Sequence, residues 1–305
     1  MKTAVLLAGL TALFGAVGLV LGGPRGMGAA LGIAVLTNLY AYWRSDHLAL
    51  AAHGAREVDR STAPDLVAMV ADLAARAGLP TPRVYVIESA QPNAFATGRN
   101  PANAAVAATT GLLAALDRDE VAGVMAHELA HIRNRDTLTM TVSATLAGAI
   151  ATLAQFGFLF GGRGDARPNP LIAMATAILG PIAAMIVQFA ISRSREYAAD
   201  REGGLICGDP LSLARALERI EAGVRRFTSP SAESHPATAP LFIVNPLAGR
   251  GIDNLFSTHP ATRNRIAALE GLAAEMRGSA QDRTGRSSDT SGAGPPRRGG
   301  PGPWG

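Results

Sequence analysis

Charged and aromatic residues are scarce in this chain of 305 residues, at 17% and 5% of the total. Nearly half of the residues, 48%, are hydrophobic, and this composition favours a membrane protein over a soluble one. The single cysteine, Cys207, excludes an internal disulfide, so nothing indicates an oxidising compartment. We find neither a phosphate-binding loop nor an aromatic-rich basic module, and therefore expect no nucleotide and no nucleic acid as partners, despite the net charge of +4.

Four long apolar runs are each close to the roughly 20 residues that a helix needs to cross a bilayer. They extend from Thr3 to Pro24, from Gly26 to Trp43, from Thr137 to Gly162 and from about Pro170 to Ser192. A cleaved signal peptide is an alternative reading of the first run. That run is long for a signal peptide, however, and the second run follows it at once. We therefore predict four transmembrane helices, arranged as two hairpins.

Basic residues near the ends of these runs predict the orientation. Most of them lie on the side that contains Lys2, Arg44, Arg133 and Arg193, and positive residues are enriched on the cytoplasmic side. We therefore expect a multi-pass membrane protein, with its soluble parts and both termini in the cytoplasm. The expected parts are a transmembrane hairpin (1–43), a first soluble part (44–136), a second hairpin (137–192), a second soluble part (193–278) and a disordered tail (279–305).

The sequence of the soluble parts predicts an α+β fold that is mainly helical, with a small β-sheet. Pro64 to Gly78 is typical of a helix, Arg83 to Ser89 of a strand, and the turn residues 98–103 of a hairpin. Asp117 and Glu120 form a capping-box pattern at the start of a helix that should run from about Arg118 to Arg133. The segment Thr228 to Arg250, rich in proline and glycine, is expected to be a mobile insertion. We expect His47, His53 and His235 to be exposed and free of metal.

The stretch HELAH, residues 127–131, carries the main chemical signal. At 3.6 residues per turn, His127 and His131 project from one helix face and can bind one zinc ion. Glu128 would lie beside the open position of the metal, where it can act as general base for a bound water. The alternative is an ordinary amphipathic helix that happens to carry two histidines. A third ligand should decide between these interpretations.

The third ligand is not in the same segment, because Asn134 and Thr137 occupy the positions that metzincins fill with glycine and histidine. A later helix offers Glu196 as the ligand and Asp200, one turn on, as a partner for a ligand histidine. Taken alone, this pair could equally be a solvated helix face. Two predicted spans separate it from His131, however, so both halves of the site would lie at the same membrane face.

Three stretches, HELAH, SREYAAD and FSTHPATRNRI, together resemble the HtpX type of membrane zinc metalloprotease, a bacterial relative of the CAAX prenyl proteases. The resemblance extends from the first apolar run to about Glu270. It implies a protein of the bacterial plasma (inner) membrane whose two soluble parts (44–136 and 193–278) form one catalytic domain. That cytoplasmic domain would be zincin-like, of the gluzincin class, with one Zn²⁺ per chain. By this similarity His127, His131 and Glu196 are the zinc ligands, and Glu128 is the general base.

The resemblance also implies roles for residues that spacing alone leaves obscure. His259 and Arg265 match family positions near the cleft, where they would donate hydrogen bonds to the oxyanion of the tetrahedral intermediate. Asn93, Ala94, Phe95 and Ala96 match the strand that pairs with extended substrate. Without the resemblance, His259 would be a turn residue before Pro260, and the strand a plain edge strand.

The expected function is a zinc-dependent membrane endopeptidase. Its partners would be the lipid bilayer and polypeptides, mainly unfolded or damaged membrane proteins whose removal belongs to stress quality control. One alternative is a CAAX-type prenyl protease, which has the same chemistry on another substrate class. A second alternative is a catalytically idle membrane scaffold or chaperone.

Overall fold

The computed structural model describes residues 2–147, 193–247 and 260–289. His259, the fourth predicted span and most of the third lie outside these residues. The helices are α1 (Lys2–Ala52), α2 (Pro64–Arg76), α3 (Thr110–Ala115), α4 (Arg118–Arg133), α5 (described over residues 136–147), α6 (Arg193–Cys207), α7 (Pro210–Arg226), α8 (Pro230–Ser234) and α9 (Thr262–Asp289). The strands are β1 (Arg56–Val58), β2 (Arg83–Ile87), β3 (Ala94–Gly98) and β4 (Ala104–Thr109), and short 3-10 turns lie at Pro101–Asn103 and Pro236–Leu241.

The first helix, α1, folds back on itself. A straight helix would place Leu7 and Asn38 about 46 Å apart, at 1.5 Å per residue. Instead, the Asn38 amide donates hydrogen bonds to the Thr11 hydroxyl at 2.8 Å and to the Leu7 carbonyl at 3.2 Å. Gly23, with a φ of 62°, lies between the two arms and adopts the left-handed conformation that glycine tolerates best. The two arms of α1 therefore form an antiparallel pair.

Across residues 2–147, 193–247 and 260–289, we find no helix with both the length and the apolar character needed to cross a bilayer. The predicted spans Thr3 to Pro24 and Gly26 to Trp43 are therefore not confirmed.

The sheet contains four strands in the order β1-β2-β4-β3. Strands β2 and β4 are parallel, whereas β3 and β4 form the antiparallel hairpin that the turn residues predict, with Phe95 opposite Ala107. Side chains alternate between the two faces of the sheet. One face, which includes Val84, Ala96 and Val106, packs in the main core. The other face, which includes Phe95 and Ile87, packs in a second cluster with the end of α1, with α5 and with Phe242.

The helix α4 lies at the centre of the main core. It begins with the predicted capping box, in which Asp117 accepts from the Glu120 amide at 2.9 Å and Glu120 accepts from the Asp117 amide at 3.1 Å. These two bonds satisfy backbone groups that a helix start otherwise leaves open. Helices α2, α6 and α7 and strand β3 contact α4. Its histidines are consequently buried rather than at the surface.

Two segments differ from the prediction. The part of the Thr228 to Arg250 segment that the structure describes, up to residue 247, contains α8 and a 3-10 turn and has many buried residues, so it is not a loose insertion. Helix α9 runs to Asp289, well past the predicted start of the disordered tail at Ser279. The sequence contains no proline between Thr262 and Pro295, so the backbone of α9 can continue its helical hydrogen bonds.

Candidate metal centre

Two helices supply the three predicted metal ligands. His127 and His131 stand one turn apart on α4, and Glu196 lies in the first turn of α6, which contacts α4 closely. Their ligand atoms all lie within 4.8 Å of one another, and all three residues are buried. The structure therefore brings together side chains from the two sides of the undescribed segment 148–192.

The distances between these atoms fit one zinc ion. Nε2 of His127 lies 3.2 Å from Nε2 of His131. Two nitrogens bound to one tetrahedral zinc ion, each at about 2.05 Å, lie about 3.3 Å apart, so the observed distance fits a shared ion. The Glu196 carboxylate lies 3.9 Å from Nε2 of His127 and 3.7 Å from Nε2 of His131. Two ring nitrogens and a carboxylate are ligands that zinc commonly takes. The residues present fit the metal.

Asp200 lies behind the first histidine. Its Oδ1 is 3.0 Å from Nδ1 of His127, a close polar contact between the carboxylate and the ring. Burial lowers the pKa of His127 to about 4 although Asp200 opposes the shift, so the ring is neutral at pH 7, as a zinc ligand must be. Burial would raise the pKa of Asp200, but the charge and hydrogen bonds of Arg265 outweigh it and lower that pKa to about 2.

Asp136 lies behind the second histidine, a contact that the sequence analysis missed. Nδ1 of His131 donates a hydrogen bond to Oδ2 of Asp136 at 3.4 Å once Nε2 is used for the metal. Burial alone would lower the pKa of His131, but this hydrogen bond and the charges of Glu196 and Glu128 raise it to about 9.

Glu128 is buried beside the ligands. Its Oε1 has no hydrogen-bond partner in the part of the chain that the structure describes. Burial raises the pKa of Glu128 to about 7, although the nearby His131 and a hydrogen bond from the Ala96 backbone oppose the shift. A carboxyl group with this pKa can both accept and return a proton near neutral pH.

The sequence model of Peptidase family M48 matches residues 60–273, more than half of the chain. The chain belongs to peptidase family M48. This match confirms the predicted resemblance at the level of the family. Membership of this family makes the protein a metalloprotease. Family M48 peptidases use zinc, so the predicted zinc cofactor is also confirmed, with His127, His131 and Glu196 as a possible site. The crystal structure of S. mikatae Ste24p is similar, with 19% identity, a TM-score of 0.47, and 78% of this chain and 57% of that chain covered.

Arg265 lies beside this M48 site, with its Nη1 4.0 Å from the Glu196 carboxylate. Its guanidinium donates two hydrogen bonds to Asp200, at 2.8 and 2.7 Å, and a third to the Ile243 carbonyl at 2.8 Å. The side chain is 1% exposed. These contacts use three of the five N–H groups of Arg265, and the predicted hydrogen bond from Arg265 to a substrate oxyanion stays a prediction. The two bonds to Asp200 hold that carboxylate in its contact with His127. The other predicted oxyanion donor, His259, lies outside the described residues.

The outer edge of β3 in the M48 domain is partly paired with the chain itself. Phe242 forms an antiparallel bridge with Phe95, and the Ile243 amide donates to the Ala94 carbonyl at 3.0 Å. The side-chain amide of Asn93 donates from Nδ2 to the Val244 carbonyl at 2.8 Å. The predicted substrate strand, Asn93 to Ala96, is therefore an edge strand as expected, but at Asn93, Ala94 and Phe95 this structure gives the edge an internal partner.

Buried polar side chains hold this internal partner, residues 242–247. Gln91 is 1% exposed. Its side-chain nitrogen, Nε2, lies 2.9 Å from the Phe227 carbonyl, 3.0 Å from the Pro246 carbonyl and 3.4 Å from the Val224 carbonyl. The sequence analysis missed Gln91, because no local pattern shows that its side-chain amide contacts carbonyls more than 130 residues away along the chain.

His53 joins α1 to the same region. The prediction of an exposed residue is wrong for His53, which is 5% exposed, whereas His47 and His235 are exposed as predicted. Its ring nitrogens contact the hydroxyls of Ser231 at 3.0 Å and Thr238 at 2.8 Å. Burial, and then the charge of His235, lower the pKa of His53 to about 4, so it is a neutral structural side chain.

Proposed function

We propose that this chain is a membrane-bound zinc endopeptidase that hydrolyses unfolded or damaged membrane proteins at the cytoplasmic face of the bacterial plasma membrane. The observation that carries the proposal is the buried Glu128 carboxyl, whose Oε1 has no hydrogen-bond partner within the described residues and which lies beside the cluster of His127, His131 and Glu196. A buried acceptor without a partner costs free energy. Such a group beside a metal site is suited to proton transfer.

The chemistry follows from the positions of these side chains. Zinc held by His127, His131 and Glu196 would supply a water of lowered pKa and a Lewis acid for the scissile carbonyl. Glu128 Oε1 is placed to accept a proton from an attacking water, and the same carboxyl would return that proton to the leaving amine. Burial raises the pKa of Glu128 to about 7 in the metal-free site, so this carboxyl can both hold and release a proton near neutral pH. Asp200, held by Arg265, keeps Nε2 of His127 turned to the metal.

The surface of α1 supports the membrane part of the proposal. Large apolar side chains are exposed along it, including Leu19, Met27, Ile33, Val35, Leu36, Leu39, Tyr40 and Trp43. An exposed apolar surface of this kind marks an interaction site, and a lipid bilayer is one environment that would cover it. The Arg99 guanidinium lies 4.9 Å from the Trp43 ring, next to the β3–β4 turn. Tryptophan and arginine are typical of a membrane–water interface, which would place the M48 domain directly at the bilayer.

Strand β3 is the element with which we propose that an extended substrate pairs. Pairing between a strand and an extended peptide uses backbone groups, which every peptide offers, so it discriminates weakly among sequences. Ala96 to Gly98 lie beyond the internal pairing at Ala94 and Phe95. The Ala96 backbone donates to Glu128 and the Thr137 hydroxyl donates to the Gly98 carbonyl at 3.0 Å, so a bound peptide would exchange with these contacts. An unfolded polypeptide is the kind of substrate that can present such a backbone.

The test is hydrolysis of an unfolded, unprenylated casein-like protein by the full chain, purified in detergent with zinc. We expect cleavage, and we expect Glu128→Gln to lower kcat by about 10²–10⁴-fold while zinc stays bound. Glu270→Gln, which changes an exposed glutamate on α9, is the matched control and should keep full activity. Cleavage of only prenylated peptides would favour a CAAX-type protease. A zinc-loaded protein that cleaves neither substrate would favour a scaffold.

A further inference from the structure

Each metal-ligand histidine faces a carboxylate at its other ring nitrogen, and each carboxylate also contacts an arginine. His127 faces Asp200, which binds Arg265. His131 faces Asp136, which binds Arg195. The first set follows from the spacing of Glu196 and Asp200 on one helix. The second set has no such pattern, because Asp136 belongs to neither ligand motif.

The backbone after α4 brings Asp136 to His131. In a continuous α-helix, residue 136 would lie about 140° around the axis from residue 131, away from its ring. The helix instead ends at Arg133, and α5 begins at Asp136 after a two-residue turn. Arg135 in this turn has a φ of 58°, and it is the one non-glycine residue with a positive φ in the part of the chain that the structure describes. An arginine rarely adopts this conformation, so the surrounding contacts must maintain it.

The two oxygens of Asp136 have different partners. Oδ2 accepts from Nδ1 of His131 at 3.4 Å, and Oδ1 accepts from Nη1 of Arg195 at 3.3 Å. The Asp136 and Arg195 side chains are 9% and 16% exposed, so solvent screens their pairing only weakly. Arg195 directly precedes the ligand Glu196 in α6. One carboxylate therefore connects the second histidine to the start of the helix that carries the third ligand.

We propose that Asp136 is a positioning residue of the zinc site, which orients the His131 ring and, through Arg195, fixes the first turn of α6 and with it Glu196. Partners of this kind change metal affinity by about 10- to 100-fold when they are removed. The proposal rests on the zinc site and does not depend on which substrate the protein cleaves, or on whether it cleaves one.

The experiment measures zinc affinity of the full chain in detergent by competition with a chromophoric chelator. Asp136→Ala should weaken zinc binding by about 10- to 100-fold. Asp136→Asn retains Oδ1 as an acceptor for Arg195, so its zinc affinity should fall by a smaller factor than that of Asp136→Ala. The matched control is Asp46→Ala, which removes a buried aspartate that pairs with Arg83 at 3.0 Å far along the chain from the ligands. Its zinc affinity should equal that of the wild type.

A second measurement separates positioning from general stability. With cobalt in place of zinc, the visible absorption reports the arrangement of the ligands, and Asp136→Ala should change this spectrum whereas Asp46→Ala should not. Arg195→Met, which leaves the Asp136–His131 contact in place, should weaken binding by a smaller factor and remains informative should Asp136→Ala fail to fold. Unchanged zinc affinity in both Asp136→Ala and Arg195→Met, or an equal loss in Asp46→Ala, would overturn the proposal. A wild-type protein that binds zinc but cleaves nothing would count against the proposed function alone.

Discussion

A Cβ at Gly203 would lie 2.8 Å from both the Cα and the backbone nitrogen of His127. Real Cβ atoms do not approach backbone this closely, so only glycine allows α6 to contact α4 at this point. Gly203 lies seven residues after Glu196 on the same helix, about two turns away. This contact therefore contributes to the distance between the Glu196 carboxylate and the His127 ring.

The first prediction concerns this contact. Gly203→Ala should push α6 away from α4, because the clash is with backbone atoms that cannot rotate aside. We expect zinc affinity to fall by about tenfold or more, since metal sites tolerate displacements of only about 0.5 Å. The free energy of unfolding should fall by about 1–3 kcal/mol, as for other overpacked cores. Chelator competition and thermal unfolding measure the two effects.

Gly271→Ala is the control for helix propensity, because a Cβ at this position on α9 meets nothing within 4 Å. It should leave zinc affinity unchanged and stabilise the protein by up to about 1 kcal/mol. Normal zinc affinity in Gly203→Ala would show that the site adjusts to a shifted α6, against our account of this contact.

The second prediction concerns the protons released when zinc binds. In the metal-free site the pKa of His131 is raised to about 9, so its ring is protonated at pH 7.5 and must lose that proton to bind zinc. Zinc binding at pH 7.5 should release about one proton, and the apparent affinity should rise by roughly tenfold per pH unit between pH 7 and 9 and then level off. Calorimetry in two buffers of different ionisation enthalpy measures the protons released.

Asp136→Asn provides the comparison, because it removes one of the negative charges that raise the pKa of His131. Fewer protons should be released at pH 7.5 in this variant. An apparent affinity that is constant from pH 7 to pH 9 in the wild type would be incompatible with a protonated His131.

Local sequence patterns predicted much of the site. The capping box at Asp117 and Glu120 places the start of α4, and the spacing of His127 and His131 places two ligands on one face of it. The ligand role of Glu196 needed a topological argument, because a long segment separates it from His131. The structure places Glu196 beside the two histidines. The two spans on which the topological argument relied stay a prediction, because residues 148–192 are not described.

Contacts between distant residues could not be predicted in the same way. The role of Asp136 depends on a left-handed φ at Arg135, and arginine gives no signal for that conformation. Gln91 binds carbonyls more than 130 residues away. The motif comparison placed Arg265 near the site correctly, but it could not show that Asp200 and Ile243 use its hydrogen bonds. Such roles depend on tertiary packing.

The third prediction separates two roles for Arg265. Arg265→Lys keeps the positive charge but loses the two-point contact with Asp200, since an ammonium group cannot reproduce that geometry. If Arg265 acts through Asp200, zinc affinity should fall by about tenfold, with a lower melting temperature. The conservative control is Arg201→Lys, at an exposed pair with Glu275. A fall in kcat with unchanged zinc affinity would instead indicate that Arg265 contacts the substrate.

The fourth prediction concerns the internal partner of β3. Gln91→Ala removes the side-chain N–H groups that lie 2.9 and 3.0 Å from the Phe227 and Pro246 carbonyls. The loss of this buried donor should lower the free energy of unfolding by about 1–3 kcal/mol. Residues 242–247 should then exchange their amide hydrogens faster, as hydrogen-exchange mass spectrometry can detect. The control is Asn103→Ala, in the exposed turn between β3 and β4. Unchanged exchange at residues 242–247 in Gln91→Ala would show that other contacts hold this segment.

The central claim is that His127, His131 and Glu196 bind one zinc ion beside Glu128. Anomalous diffraction at the zinc edge from crystals of the zinc-loaded protein tests it most directly. The account predicts a single strong peak about 2.0–2.2 Å from Nε2 of both histidines and from the Glu196 carboxylate. A peak elsewhere, or a Glu196 carboxylate turned away from the ion, would contradict it.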